Sequence, residues 1–209
     1  MPSPIVHLEI MFQLFSSLNR PVTPQLLLGA ISPDAIHMRP NQTWHDKSVT
    51  HFYEEADISF TEAIEKAKTL INCESADLKL GYLIHLYTDY LWREHVYTPY
   101  FKMYKDQMLR SDLHALYYRE MQRIDAVILK ESSWLDEAIL KLQQLQGLAC
   151  LPLLSKEEIE AWRLKVLMHD LGENHLVDGE FEVFTLMEIK TFLRDCCEQL
   201  IHQFHELKN

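Results

Sequence analysis

Glycine is scarce in this chain, with 5 residues in 209, and no segment shows the alternation of apolar and polar residues that is typical of strands. Apolar residues instead recur at intervals of three and four, which favours helices with short connections. A chain of this length can bury a core without disulfide bonds, and no linker or internal repeat divides it. The sequence therefore predicts one all-α domain over residues 1–209, with seven or eight helices.

The chain also lacks basic runs and long apolar runs. Its 20 Lys and Arg residues stand against 31 Asp and Glu residues, a formal net charge of −11, so no patch predicts binding to a nucleic-acid backbone or to anionic lipid. No apolar stretch approaches the roughly 20 residues that span a bilayer, and the first residues, MPSPIVHLEIMF, lack the features of a secretory signal. These absences predict no transmembrane segment and a cytoplasmic location.

Cysteine is rare as well, and no CxxC pair occurs. The adjacent Cys196 and Cys197 cannot easily bridge each other, and the other two, Cys73 and Cys150, are far apart in the sequence. All four are predicted to be reduced thiols in the core.

Several helix boundaries bear on function. Residues 32–47 are predicted to form the longest loop, and a long helix should follow over residues 49–71. The helix that contains residues 81–95 should stop near Pro99. This scheme puts the metal-binding half at about residues 1–100 and the C-terminal helices at about residues 111–207. N-cap serines are predicted at Ser75, Ser111, Ser133 and Ser155.

Residues 81–95, GYLIHLYTDYLWREH, form an apolar, helix-like stretch that contains three polar groups able to bind a metal. In a helix His85 and Asp89 are four residues apart, so their side chains lie over one another and suit two ligands of one ion. His95 lies roughly 15 Å further along the axis, and so belongs to another site or to none. A His with an acid four residues on occurs four times, against about 1.6 expected by chance, so this pair alone is weak.

Three further polar residues stand in apolar surroundings. His7 lies within PSPIVHL, Asp34 follows a proline in an otherwise apolar segment, and His51 precedes two aromatic residues. Burial of such a group is costly unless it has a partner. A shared metal ion would satisfy these three groups together with His85 and Asp89, and the sequence therefore predicts a metal site.

Four segments carry a resemblance to a known family. They are PSPIVHL at the start, LLLGAISPDAIHM, THFYEE and LGYLIHLYTDYLWREH, and they span about the first half of the chain. In these segments the chain resembles the zinc-dependent phospholipase C family, and in particular its small uncharacterised bacterial branch. The resemblance implies the all-α multi-helix bundle that this family shares with single-strand nucleases, and the activity of a metal-dependent hydrolase.

The resemblance also implies the ligands and their ions. Two Zn²⁺ ions, or three, are implied, with Mn²⁺ or another divalent ion as the alternative. Asp34 would orient or deprotonate the attacking water, and Asp89 would bridge two ions. A free N-terminal amine completes one site in this family, and Pro2 would supply it once Met1 is removed. One ion would take Asp34, His51, His85 and Asp89, and its neighbour would take Asp89 and His7.

The third metal site departs from the family pattern. The resemblance gives this site to His95, but the HxxxE or HxxxD that should follow is missing, because His114 is followed at that spacing by Tyr118. His169 with Glu173 is the other candidate pair, and a surface loop is the alternative interpretation. The remaining histidines are taken as structural or solvated: His45, His114, His175, His202 and His205.

The predicted activity is hydrolysis of a phosphodiester or a phosphomonoester by a metal-activated water. Relatives that hydrolyse choline lipids place aromatic residues at two positions where this chain has Ala35 and Ser48, so the predicted partner is another small phosphorylated substrate. His37 is predicted to be a further ligand, a hydrogen-bond donor to one, or a solvated loop residue. Arg39 is predicted either to clamp a phosphate or to lie on the surface.

Two alternatives remain open. In the first, His45 and Asp46 form the adjacent pair of an HD-type metal phosphohydrolase, with His7 upstream and Asp89 or Asp125 downstream. In the second, the histidines hold a structural zinc ion, or none, in a non-catalytic helical interaction module. A structural zinc site is closed by four protein ligands, whereas a catalytic site keeps a position for water. The sequence predicts neither the identity of the substrate nor the oligomeric state.

Overall fold

The computed structural model describes residues 1–53, 59–146, 148–172, 179–204 and 207. These residues form an all-α fold, as predicted, with ten α-helical segments where seven or eight were expected. The helices are α1 (Pro4–Ser17), α2 (Pro24–Ile31), α3 (Trp44–Thr50), α4 (Phe60–Leu70), α5 (Ala76–Trp92), α6 (Thr98–Tyr104), α7 (Arg110–Glu131), α8 (Leu135–Gln143), α9 (Lys156–Lys165) and α10 (Leu186–Gln203). Two short strands, β1 (Asn72–Cys73) and β2 (Cys150–Leu151), form the sheet of the described part of the chain.

Side-chain caps fix where several helices begin. Ser75 accepts a hydrogen bond from the backbone of the first turn of α5, and Ser155 does the same for α9 with Glu158 completing a capping box, as predicted. The predictions for Ser111 and Ser133 are wrong, because α7 begins one residue before the first and α8 begins two residues after the second.

Two predictions for the chain between α2 and α4 are wrong. Residues 32–47 are not a loop, because Ser32–Met38 is a 3₁₀ helix and α3 follows soon after it. The helix predicted over residues 49–71 is not continuous, because α3 ends at Thr50 and Phe52 takes a φ of 58°. That left-handed conformation cannot continue a right-handed helix. The break leaves His51 at the end of α3, with its side chain buried.

The prediction that the helix containing residues 81–95 stops near Pro99 is wrong. A π-helical segment, Arg93–Tyr97, joins α5 to α6, and the proline lies in the first turn of α6. Because proline has no N–H group, it cannot continue the hydrogen-bond pattern of α5, and the π-helical segment lies just before it. The predicted stop is therefore replaced by a local change in helical pitch.

The prediction that all four cysteines are reduced is wrong for one pair. Strands β1 and β2 pair antiparallel with Cys73 opposite Cys150, and the two residues form a disulfide bond between positions 77 apart in the sequence. The strand pairing brings their Cα atoms to 4.3 Å, and no sequence signal announces a two-residue strand. Cys196 and Cys197 are buried free thiols on α10, as expected.

Helices α2 and α5 pack closely through two glycines. A Cβ atom on Gly29 would lie 2.2 Å from the carbonyl oxygen of Leu78, and one on Gly81 would lie 2.3 Å from that of Leu26. Neither position has room for a side chain, so the two backbones approach each other directly. This approach also brings the carbonyl of Ala30 on α2 within 2.7 Å of His85 on α5.

We expect Gly81→Ala to destabilise the fold by about 3 kcal/mol, because the added methyl group must push α2 and α5 apart. On an exposed helix face the same change would stabilise by up to about 1 kcal/mol. Urea unfolding of the variant against wild type measures the effect, with the exposed Gln122→Ala on α7 as control. A stability equal to that of wild type would contradict the close approach of the two helices.

The C-terminal helices pack against the first half of the chain. Helix α10 lies on α1 and α5, α7 lies on α1, and α9 lies on the 3₁₀ helix. The buried hydrophobic residues form one cluster that includes side chains of all these helices. Within the part of the chain that the structure describes, no helix has both the length and the apolar character needed to cross a membrane.

Candidate metal centre

The five predicted ligands come together although four different elements supply them. Their side chains are buried, and they are among the few buried polar residues of the described chain. Helix α1 contributes His7, the 3₁₀ helix contributes Asp34, the residue that ends α3 is His51, and α5 contributes His85 and Asp89.

One group of three possible ligands consists of His7, His85 and Asp89. One ligand atom from each lies within 4.8 Å of the others, which is close enough for all three to reach a single ion. The Nε2 atom of His7 is 3.4 Å from Oδ1 of Asp89, and that of His85 is 3.9 Å from Oδ2. The two imidazole rings are stacked with centroids 3.8 Å apart.

A second group of three overlaps the first and consists of Asp34, His51 and His85. The Nε2 atom of His51 is 3.4 Å from Oδ1 of Asp34 and 3.7 Å from Oδ2 of Asp89. His85 therefore belongs to both groups, and the carboxylate of Asp89 reaches towards both. The two groups therefore overlap at His85 and lie close together at Asp89.

Several buried polar atoms of these residues have no hydrogen-bond partner. Of seven buried side-chain nitrogen and oxygen atoms without a partner among the described residues, five belong to His7, His51, His85 and Asp89. A buried polar atom without a partner costs roughly 1–3 kcal/mol. The buried Glu120, by contrast, accepts hydrogen bonds from three backbone N–H groups. A bound cation would satisfy the unpaired atoms, so these residues fit a metal ion.

Hydrogen bonds made by Nδ1 in two of the imidazole rings determine that Nε2 faces the centre. Nδ1 of His85 donates to the carbonyl of Ala30 at 2.7 Å, and Nδ1 of His51 donates to the carbonyl of Lys47 at 3.0 Å. Because a carbonyl oxygen can only accept, the proton of each neutral ring lies on Nδ1. The Nε2 lone pairs are then available to a metal, and such outer hydrogen bonds also hold ligating rings in place.

The protonation of the centre suits metal binding. Burial lowers the pKa of His85 to about 3, with His7 acting in the same direction, so the ring is neutral near pH 7. Burial alone would raise the pKa of the Asp89 carboxyl, but the surrounding imidazoles hold it below its usual range. The pKa of Asp34 is lowered despite its burial, chiefly by Lys47. Neutral imidazoles and ionised carboxylates are the ligand forms that Zn²⁺ requires.

Lys47 and His37 lie at the edge of the centre that faces solvent. The Nζ atom of Lys47 is 3.2 Å from Oδ1 of Asp34 and 3.3 Å from Nε2 of His37. Nε2 of His37 lies 3.7 Å from Oδ1 of Asp34, which is beyond hydrogen-bond distance, so a role of His37 as a ligand or as a donor to Asp34 stays a prediction. Sequence reasoning missed Lys47, although its position four residues before His51 places it on the same helix face once α3 is recognised.

Tyr53 was also missed, although it belongs to the HFY segment. Its hydroxyl donates to Oδ2 of Asp89 at 2.9 Å, and the guanidinium of Arg93 lies 4.0 Å from the centre of its ring. A donor at this distance restricts the orientation of the carboxylate. Tyr53 is therefore placed to hold Asp89 in the position from which it reaches both groups of ligands.

The N-terminus lies beside the centre. Pro2 is buried, and the amine of Met1 donates to the hydroxyl of Tyr117 at 3.4 Å. Burial lowers the pKa of this amine and Asp89 acts against the shift, so the amine is within electrostatic reach of the centre. While Met1 is present, the nitrogen of Pro2 is part of a peptide bond. Coordination by Pro2 therefore stays a prediction that depends on removal of Met1.

Two predicted site residues do not join the centre. His95 is exposed on the π-helical segment, where it lines a groove between α6 and α10, and no possible metal-binding group of the described residues includes it. Arg39 is bound to Glu158 at 2.7 Å and to Asp46 at 3.1 Å. Its guanidinium is therefore occupied by protein carboxylates, and the prediction that it clamps a phosphate is not supported.

The adjacent pair of the HD-type alternative lies outside the centre as well. His45 is exposed, and Asp46 forms the capping box of α3 with Thr43. Asp125 contacts Ser3 rather than a metal-binding group. His45 and Asp46 therefore lie in the first turn of α3, where Asp46 has the structural role of capping the helix.

Some predictions fall on residues outside the described ranges. Glu173, the partner proposed for His169, is one of these residues, and His169 itself is exposed at the end of the π-helical segment Val166–Asp170. His175 and His205 also lie outside the described residues. His114 packs against the ring of Phe101, as a structural histidine would.

Comparison with known proteins agrees with this geometry. A family model described as zinc dependent phospholipase C matches residues 6–147, which is more than half of the chain and includes all five candidate ligands. No curated protein and no solved structure matches the chain significantly. The family is one of hydrolases that use zinc, and the all-α fold and the buried His and Asp residues agree with it. The chain therefore belongs to the zinc-dependent phospholipase C family.

Proposed function

We propose that the protein is a zinc-dependent hydrolase that cleaves a phosphoester bond of a small phosphorylated substrate with water. The observation that carries the proposal is the convergence of buried, unpaired ligand atoms in two overlapping groups. Such groups would destabilise the fold without a cation, and their number exceeds what a single structural site needs.

The five residues are proposed to bind two ions. We assign His7 and Asp89 to one ion and Asp34 and His51 to the other, with His85 and the second oxygen of Asp89 lying between them. When bound, zinc would supply a Lewis acid that polarises a phosphoryl oxygen and lowers the pKa of a water molecule. Two ions are proposed rather than three, since His95 lies away from the centre.

The protein residues at the open edge would bind and orient the reactants. Asp34 has the most exposed carboxylate of the ligand set, with 11% of its side chain accessible against 2% for Asp89. It is thus placed to orient an attacking water by accepting a hydrogen bond, and its lowered pKa keeps it ionised, which suits this role better than removal of a proton. Tyr53 would keep Asp89 fixed while the substrate binds.

The substrate is proposed to be a phosphoester without a choline headgroup. The name of the family points to phospholipids, and lipid phosphoesters are therefore part of the proposed class. At the two positions where choline-hydrolysing relatives carry aromatic residues, Ala35 and Ser48 are small and fully buried. These residues cannot form an aromatic cage around a quaternary amine.

The cytoplasmic location predicted from the N-terminal sequence stays a prediction. The Cys73–Cys150 disulfide weighs against it, because such bonds persist mainly in oxidising compartments.

The function is tested by hydrolysis of p-nitrophenyl phosphate and bis(p-nitrophenyl) phosphate with zinc content measured in parallel. We expect His85→Ala to lower kcat/KM at least about 100-fold and to reduce bound zinc, because both groups of ligands lose a member. His45→Ala should behave as wild type. The reverse pattern would favour the HD-type alternative, and zinc binding without hydrolysis would favour a structural site.

A further inference from the structure

Lys47 brings an ammonium group to the open edge of the metal centre. Its side chain is 22% accessible, whereas those of His51 and Asp89 are 0% and 2% accessible. A ligand that arrives from solvent meets this edge first, since the rings behind it are closed off. Lys47 therefore stands between solvent and the proposed ions.

The hydrogen bonds around Lys47 hold its side chain in this position. An ammonium can only donate, so Nε2 of His37 accepts from Lys47, and Nδ1 of His37 then donates to the amide oxygen of Gln42 at 3.2 Å. Asp34 accepts from the same ammonium at 3.2 Å. The lysine is thus fixed by two partners rather than extended freely into water.

A lysine beside metal ligands is unfavourable for metal binding alone. Its positive charge repels a divalent cation at short range, and its pairing with Asp34 competes for a ligand carboxylate. A site built only to hold metal would be served better by a neutral residue at this position. The ammonium group of Lys47 would instead attract an anion that binds beside the metal.

A metal ion on Asp34 would share the negative charge that Lys47 now neutralises. When Asp34 becomes a ligand, its oxygen is shared with a cation, and the two carboxylates of the centre balance only half of the charge of two divalent ions. Lys47 then adds further positive charge at the open edge. The other basic side chains nearby are engaged, Arg39 with Glu158 and Arg93 with the ring of Tyr53.

We infer that Lys47 is a substrate-binding residue that donates to a non-bridging oxygen of the phosphoryl group, and that it selects a terminal phosphate with two negative charges over a diester with one. The inference rests on the proposed function, because it places the phosphoryl group at the open edge of the same centre. A point charge held at hydrogen-bond distance discriminates ligands by their charge. The preferred substrate class is therefore a phosphomonoester.

The inference is tested by binding of inorganic phosphate to the zinc-loaded protein, measured by isothermal titration calorimetry. We expect Lys47→Met to weaken phosphate binding about 10- to 100-fold, the range for loss of one hydrogen bond to a charged group. Lys47→Arg should keep most of the affinity. Lys102→Met on α6, an exposed lysine outside the centre, is the control for loss of one positive charge and should match wild type.

A second variant and a second measurement separate the possible roles of Lys47. Lys47→Gln keeps a donor for Asp34 and His37 without the charge, so it guards against a folding defect in the Met variant. With hydrolysis, the preference for p-nitrophenyl phosphate over the bis(p-nitrophenyl) ester should fall about tenfold in both variants. If Lys47 only neutralises Asp34 in the metal-free chain, both variants bind zinc more tightly and phosphate as well as wild type does, which overturns the inference.

Failure of the proposed function gives a different pattern. A wild-type protein that binds zinc and phosphate but hydrolyses neither ester would contradict the hydrolase proposal, while the phosphate affinities of the Lys47 variants would still decide the role of this residue. A zinc-loaded wild type that does not bind phosphate would overturn the inference directly.

Discussion

Replacement of Asp89 by asparagine is expected to reduce kcat/KM for phosphoester hydrolysis by about 1,000-fold or more and to lower the zinc content of the purified protein. One carboxylate reaches His7 through Oδ1 and both His51 and His85 through Oδ2, so its loss affects both groups of ligands. The amide has a similar shape, but it lacks the charge and turns an NH₂ group towards one side of the centre. Loss of metal from a hydrolytic centre costs several kcal/mol of transition-state stabilisation.

The Asp89→Asn experiment needs a control that distinguishes an effect on the metal centre from an effect on folding. Asp195→Asn on α10 removes an exposed carboxylate that pairs with Arg194, and it should leave zinc content and activity unchanged. Circular dichroism of both variants reports whether the helices are intact. An Asp89→Asn protein that keeps full zinc content and full activity would show that the carboxylate does not join the two groups of ligands.

The sequence predicts the candidate ligands because they are polar residues in segments whose other residues are apolar. His85 and Asp89 are spaced for one helix face, and His7, Asp34 and His51 stand where apolar residues are expected. The structure brings all five together. Their assignment to particular ions rested on family resemblance, since spacing along a chain cannot tell which side chains from different helices meet.

Other parts of the site left no readable signal in the sequence. The acceptor for His85 is the backbone carbonyl of Ala30, and every residue has such a group. Its position depends on the close packing of α2 against α5 at Gly29 and Gly81. The contact of Lys47 with Asp34 depends on α3 being a helix, whereas the sequence predicts a loop there.

The break after His51 was missed for a related reason. The apolar pattern continues through HFY, and Phe52 takes a left-handed conformation in which glycine or asparagine is normally found. The break lets His51 end α3, where its backbone N–H and its Nδ1 both donate to the Lys47 carbonyl of the last turn. A local departure from helical geometry thus positions a candidate ligand, whereas helix propensity alone favours a continuous helix.

Removal of zinc is expected to lower Tm by roughly 8–16 °C, because the metal-free chain keeps several buried ligand atoms without a partner. A ligand present at about 1,000 times its Kd stabilises by about 4 kcal/mol, and each kcal/mol shifts Tm by roughly 2–4 °C in a chain of this size. The helices should persist, since the hydrophobic cluster does not depend on the centre. Differential scanning calorimetry with zinc, and after chelation and dialysis, measures the shift.

The same experiment on Asp89→Asn shows whether the shift comes from this centre. That variant should melt at nearly the same temperature with and without zinc, and wild type should recover its full Tm when zinc is returned. Recovery at pH 7 is expected to be complete, because burial keeps His85 neutral and zinc has no proton to displace from that ring. Equal Tm values for zinc-loaded and zinc-free wild type would contradict a metal centre built from these residues. A zinc-dependent shift that survives in Asp89→Asn would instead place the stabilising ion elsewhere in the chain.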